Sequence, residues 1–203
     1  MQKTLAIAAA ALAVIFAASC ATTSVTRVDS STQTDLSGYW NDTDVRIVCE
    51  SLINDCLESP RVAQTAQKKK ALPVFIVGTF RNDSDEHIDT TIISKKMESA
   101  IINSGKADFV ASSAERGEIR DERQEQQSFA SEETAKALAN ETGADFILIG
   151  AVKTIVDRAA NGKTATRTYY VTAELIDIET NKKIWVGEND EIKKVIKTPS
   201  ARL

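Results

Sequence analysis

The chain has 203 residues with 25 Lys and Arg against 29 Asp and Glu, a net charge of −4, and only one histidine. A length of this order fits one domain plus short appendages. The basic residues are scattered rather than clustered, which argues against a nucleic-acid binder, whose footprint is a stripe of Lys and Arg.

In chain order, Lys3 is followed by an uninterrupted apolar run from Leu5 to Ala18, then by the small residues Ala17, Ala18 and Ser19 and by Cys20. Positive start, short apolar run and small-residue cleavage site form the layout of a secretory signal peptide. The run is shorter than the ~20 apolar residues a membrane span needs. A cysteine directly after the small residues resembles a bacterial lipobox, with Ala17 in the position where leucine is usual. The expectation is cleavage after Ser19 and lipidation of Cys20, the alternative being an ordinary signal peptide with a chance cysteine. Two acyl chains anchor stably at ~0.8 kcal/mol per buried CH₂. Residues 1–19 carry one basic and no acidic residue, so their loss moves the net charge from −4 to −5. Ala21 rather than an aspartate follows Cys20, which by resemblance to sorted lipoproteins favours the outer membrane.

Residues 20–36 are rich in Ser, Thr, Gln and Asp and read as a lipidated flexible tether, and residues 37–198 as a single globular domain. Structure begins at an expected N-cap, Asn41, with Asp42 and Asp44 in the first turn, where the helix dipole favours negative charge. Trp40 before the cap and Val45 at the fourth helical position fit a hydrophobic staple. Val45, Val48, Cys49, Leu52 and Cys56 recur at helical spacing, and Pro60 ends the helix. Cys49 and Cys56 lie ~10.5 Å apart on such a helix, beyond the ~7 Å that a disulfide spans. Both therefore read as core residues. Arg61 to Leu72 reads as a polar connection or frayed helix, with Lys68-Lys69-Lys70 solvated.

Pro73 to Phe80 is an apolar strand, followed by a loop at Asn82 to Asp85. Ile93, Met97, Ala100 and Ile101 share a helix face ended by Gly105, and Asp108-Phe109-Val110 is a short strand. Glu115 to Gln127 is either a solvated helix or a mobile arm. Ser131, Glu132 and Glu133 start a further helix, with Leu138 inward and Gly143 at its end. Ala144 to Val152 is apolar on both faces and reads as the central strand. Asn161-Gly162 turns into a long strand, Thr164 to Ile178. Glu179 to Lys182 turns again, with Asn181 left-handed, and Lys183 to Val195 returns as its hairpin partner. The expected fold class is α/β in the α+β sense: a mixed sheet ending in an antiparallel meander and flanked by helices.

Catalytic chemistry finds no foothold. His87 sits in an acidic loop with no nucleophile or orienting partner in pattern. Asp83, Asp85 and Asp89 alternate as in a calcium loop, but that loop demands glycine and glutamate where Ile88 and Ser94 stand, so they read as a turn and helix start. No phosphate loop and no zinc spacing occurs, and no cofactor beyond covalent lipid is expected. A glycosidase carboxylate pair needs no local motif, but so small and aromatic-poor a domain makes it a poor candidate.

Three stretches carry a resemblance: Gly38-Tyr39-Trp40-Asn41-Asp42-Thr43-Asp44, Gly143 to Gly150, and Tyr169 to Leu175 through Trp185-Val186-Gly187. With the lipobox and the glutamine-rich arm, most of residues 36–196 resembles the LpoB-type outer-membrane lipoproteins, which activate bifunctional penicillin-binding proteins. The middle stretch alone is also similar to the wider TolB N-terminal-like and curli-secretion group. The resemblance implies a TolB N-terminal-like fold, a non-enzymatic role, a peptidoglycan synthase as partner, and a place on the outer membrane facing the periplasm. It assigns no partner-contact residues. The alternative expectation is a structural or assembly lipoprotein of related fold, oligomeric or not. Well-characterised members carry a long tether, whereas residues 21–36 span typically only ~20 Å as a flexible chain.

Overall fold

A computed structural model describes residues 25–112, 115–122 and 143–198. Cys20, the cleavage site after Ser19 and the helix expected from Ser131 lie outside them. Contacts divide the chain into two units, Met1–Thr32 and Gln33–Leu203. Within the first, residues 25–32 are exposed, with a turn closed by Thr32 N–H on the Asp29 carbonyl at 3.1 Å.

The second unit starts with residues 33–41, here termed the strap, and then forms helix α1 (Asp42–Glu58). The start of α1 is a reciprocal capping box. Asn41 Oδ1 accepts from the Asp44 N–H at 3.1 Å, and Asp44 Oδ2 accepts from the Asn41 N–H at 3.0 Å. Two helix-end donors are thus satisfied at once. Cys49 and Cys56 are free thiols buried on the inner face of α1, as their spacing indicated. Pro60 then opens α2 (Pro60–Lys69), so the stretch read as a connection or frayed helix is a full helix. A proline at the first helical position costs nothing, because its missing N–H would have no partner there.

Strand β1 (Val74–Asn82) leads to α3 (Thr90–Ser104), which is capped by the Asp89 side chain and closed by Gly105 at φ 64°. Strand β2 (Asp108–Phe109) follows. Residues 115–122 are helical, which decides for helix in the described part of the charged arm. Glu115 ties this segment to α3 through Lys95 at 2.8 Å. The last four strands are β3 (Phe146–Arg158), β4 (Thr164–Asp177), β5 (Lys183–Asn189) and β6 (Lys193–Lys197).

The strands form one mixed sheet in the order β2-β1-β3-β4-β5, with β6 also on β4. β1 runs parallel to β2 and β3, and the remaining pairs are antiparallel. β3 is central, as its double-sided apolar pattern indicated. Alternate residues of β4 (Tyr169, Val171, Ala173 and Leu175) are fully buried, and α1 and α3 pack on that face. Gly150 is required there: a Cβ on it would lie 2.3 Å from the Phe80 ring and 2.4 Å from the Thr172 carbonyl oxygen.

Two expectations need correction. β3 does not stop at Val152 but continues to Arg158, paired with β4 all the way to the Gly162 turn. Its outer half, Lys153-Thr154-Ile155-Val156-Asp157-Arg158, is mostly polar and charged, so it lacks the apolar run that marked the inner half. The return arm is not one strand from Lys183 to Val195. It breaks at 190–192 into β5 and β6, both on the same edge of β4. The register passes from Val171↔Asn189 to Thr168↔Lys193, a slip of one residue. Such a slip exchanges the faces to which side chains point. Trp185, Gly187 and Asn189 share the face of Leu175, Ala173 and Val171 in β5, whereas Lys194 and Ile196 share that of Arg167 and Ala165 in β6. Ile192, buried in the break, accepts the Tyr169 N–H through its carbonyl at 2.9 Å.

Candidate functional site

The strap lies against the face of β4 and β6 that carries Tyr169, Lys194 and Ile196. Gly38 makes this close approach possible, since a Cβ there would lie 2.3 Å from the Ile196 side chain. The strap is then fastened by side chains from β4, β6 and the loop after β1. Trp40 N–H donates to Glu86 Oε2 at 3.0 Å. The Tyr169 hydroxyl lies 2.6 Å from Glu86 Oε1 and 3.2 Å from the Gly38 carbonyl oxygen. Lys194 Nζ donates to the Tyr39 carbonyl at 2.7 Å and pairs with Asp44 at 2.6 Å and Asp35 at 3.0 Å. The Trp40 ring packs on Tyr169, centroids 5.1 Å apart.

Arg167 is the second cation of the cluster. It ion-pairs with Glu86 through Nη1 and with Asp85 through Nη2 at 3.1 Å, under the half-exposed ring of Tyr39, 5.1 Å away. The Arg167 and Glu86 side chains are only 8% and 6% exposed. Buried charges persist only when paired and hydrogen-bonded. Even so, Arg167 Nε and Trp40 Nε1 find no partner.

The titration directions follow the burial. Burial, helped by Glu86, pushes the Tyr169 phenol up. Burial also raises Asp44, against the pull of Lys194. The Thr154 hydroxyl, then the Arg167 charge, hold Asp85 below the usual carboxylate range, and Lys194 does the same for Asp35.

Two depressions flank β6 and share Gly38 and Ile196. The first, of about 190 Å³, is floored by Val156, Ala165 and Ile196 and edged by Tyr39, Arg158 and Lys163, with Arg167 in its lining. The second, of about 450 Å³, is lined by residues 35–38 of the strap and residues 193–197 of β6.

The other residues singled out in the sequence lie elsewhere. His87 is exposed on the loop. Asp83 pairs with Arg81 at 3.4 Å, and Asp89 caps α3. Only Asp85 of the acidic trio enters the cluster, and it does so as a partner of Arg167. Burial pushes the Cys49 and Cys56 thiols up to about 12, which leaves no thiolate for nucleophilic work. The sequence reading missed Glu86, Arg167 and Lys194 altogether. The signal available was the placement of charged residues in the inward register of an otherwise apolar strand, but Arg167 and Glu86 lie 81 positions apart.

Fold and site together define a small mixed α/β domain whose interior charges fasten its own entry segment and whose open surface offers docking features: cationic edges, an exposed tyrosine and shallow apolar floors. The family model described as peptidoglycan-synthase activator LpoB matches residues 44–190, and the chain belongs to that family. Among solved structures, the chain is similar to the LpoB C-terminal domain from Salmonella enterica, at 17% identity over 69% of this chain and 95% of that one, TM-score 0.37. It is similar to the LpoB C-terminal domain from Escherichia coli at 16% identity, covering 64% and 91%, TM-score 0.36. The lipoprotein GNA1162 from Neisseria meningitidis matches at 14% identity, covering 64% and 87%, TM-score 0.34. No curated protein matches the sequence.

Proposed function

We propose that this chain is an outer-membrane-anchored lipoprotein, acylated on Cys20 after cleavage behind Ser19, that binds a periplasmic bifunctional penicillin-binding protein and raises its peptidoglycan synthesis. The observation that carries the reading is the family match across residues 44–190, a family of activators rather than catalysts. The signal-and-cysteine pattern at the N-terminus supplies the anchor, two acyl chains being enough for stable attachment. The described chemistry fits a binder: the thiols are held neutral by burial, and the inner charges neutralise one another.

The test is reconstitution. The purified mature chain, added in detergent to a purified bifunctional penicillin-binding protein, is expected to bind it and raise glycan polymerisation and cross-linking from labelled lipid-linked precursor. Neither binding nor stimulation with any such enzyme of the same cell would reject the reading. A large stable ring after delipidation would favour an assembly lipoprotein instead. Mass spectrometry of the native protein checks the anchor, and an unmodified Cys20 would remove it.

A further inference from the structure

The smaller depression at the strap has features that select its occupant. Its floor is apolar (Val156, Ala165, Ile196), and Arg158 and Lys163 bring positive charge to its edge in a chain whose net charge is −4. Arg167 is almost wholly buried, yet its Nε lacks an acceptor. Its two terminal nitrogens are held by Glu86 and Asp85, so the cations that meet an incoming carboxylate are those at the edge. Tyr39, at the rim, is 59% exposed. Arg and Tyr are the residue types that dominate binding hot spots.

Size decides between ligand classes. Small-molecule sites are typically ~300–1,000 Å³ and enclose most of the ligand. A depression of about 190 Å³ that opens at the strap holds one side chain rather than a metabolite. Across the Gly38–Ile196 contact lies the larger depression, where Leu36 and Val195 are exposed at 93% and 59% beside Lys193 and Lys197. An acidic side chain in the first depression would thus place a neighbouring aliphatic one over the second.

We propose that this pair of depressions is the docking surface for the synthase, receiving a segment that carries an Asp or Glu next to an aliphatic side chain. The acidic group meets Arg158 and Lys163, and the aliphatic group covers Leu36 and Val195. This deepens the activator reading and rests on it. Complementary charge of this kind speeds encounter and weakens with salt.

The experiment measures the affinity of the mature chain for the purified synthase at low and raised ionic strength. It compares wild type with R158E/K163E, with the neutral pair R158Q/K163Q, and with Ala165→Leu, which fills the floor without changing charge. Lys106→Glu, on the turn before β2, changes the net charge by as much as R158Q/K163Q does and controls for charge placed elsewhere. Circular dichroism confirms that each variant is folded. The expected results are at least tenfold weaker binding for R158E/K163E and for Ala165→Leu, a smaller loss for R158Q/K163Q, a wild-type affinity that falls with salt, and a control within twofold of wild type. Wild-type binding that all three site variants retain would overturn the docking surface and leave the activator reading standing. Absence of wild-type binding would overturn the activator reading and this surface with it. Purified peptidoglycan sacculi serve as a second probe. If R158E/K163E loses sacculus binding while synthase binding is untouched, the cationic edge serves wall carboxylates and the proposal is wrong.

Discussion

Replacing Arg167 by Met tests whether the strap cluster is a buried ion network or a solvated one. Methionine keeps the bulk of the aliphatic stem and removes the charged guanidinium. Glu86, 6% exposed, would then keep only the Tyr169 hydroxyl and the Trp40 N–H as donors. Breaking a buried pair from one side costs about 3–5 kcal/mol, because the remaining charge is left unneutralised. Domains have ~5–15 kcal/mol in all, so the loss is a large fraction of the total. At about 2–4 °C per kcal/mol for a chain of this size, the midpoint should fall by ~10 °C. The second arm is R167M/E86Q. Removing the stranded carboxylate should restore part of the loss, so the double variant is expected to be more stable than the sum of the single effects allows by at least ~1 kcal/mol. Urea unfolding followed by far-UV circular dichroism at pH 7 measures all four proteins. A loss below ~1 kcal/mol for R167M, or strict additivity in the cycle, is what solvent-screened pairs give and would refute the buried-network account.

Gly150→Ala forces a methyl against the Phe80 ring and a neighbouring carbonyl oxygen. A loss of at least ~1–3 kcal/mol is expected from such overpacking, and a wild-type thermal melt would contradict it. The Cys49 and Cys56 thiols, pushed up to about 12 by burial, should resist iodoacetamide at pH 8 in the folded protein and both react in guanidinium; rapid native labelling, read by mass spectrometry, would show that α1 opens locally. Lys95 and Ser112 hold Glu115 down to about 2. Because its folded value lies below the unfolded one, its stabilising contribution is present above about 4.5 and is lost as pH falls through about 2. Glu115→Gln should accelerate hydrogen exchange across residues 115–122 at neutral pH while leaving the global melt nearly unchanged, as for an exposed pair; unchanged exchange would mean that the ion pair does not hold that helix.

Local chemistry was legible in the sequence where it acts locally. Asn41 and the acidic first turn marked the start of α1, Asn181 and Gly162 marked the turns, and the apolar run from Phe146 to Val152 marked the central strand. Long-range chemistry was not legible. The outer half of β3 is held by pairing with β4 rather than by an apolar run, so its composition resembles a loop. The one-residue slip at 190–192 exchanges inward and outward positions, and no sequence period survives it. Asp44 looked like a charge for the helix dipole, and its further role, as partner of Lys194 150 positions away, depends on how the sheet closes. Glu86 looked like one acid among several in a loop, although it receives contacts from the strap, Arg167 and Tyr169 together.

The strap joins the beginning of the domain to its end. Its clasps bridge 131 residues at Tyr169–Gly38 and 155 at Lys194–Tyr39. Contacts of such long separation form late, since the chain between them must be ordered first. A ribosome makes the entry segment before anything else in the domain, yet the lysine that latches it arrives within the last strand. The strap therefore lacks its Lys194 clasps until β6 is delivered, and a chain cut short before β6 would keep most of its core and the Glu86 and Tyr169 clasps while losing those of Lys194.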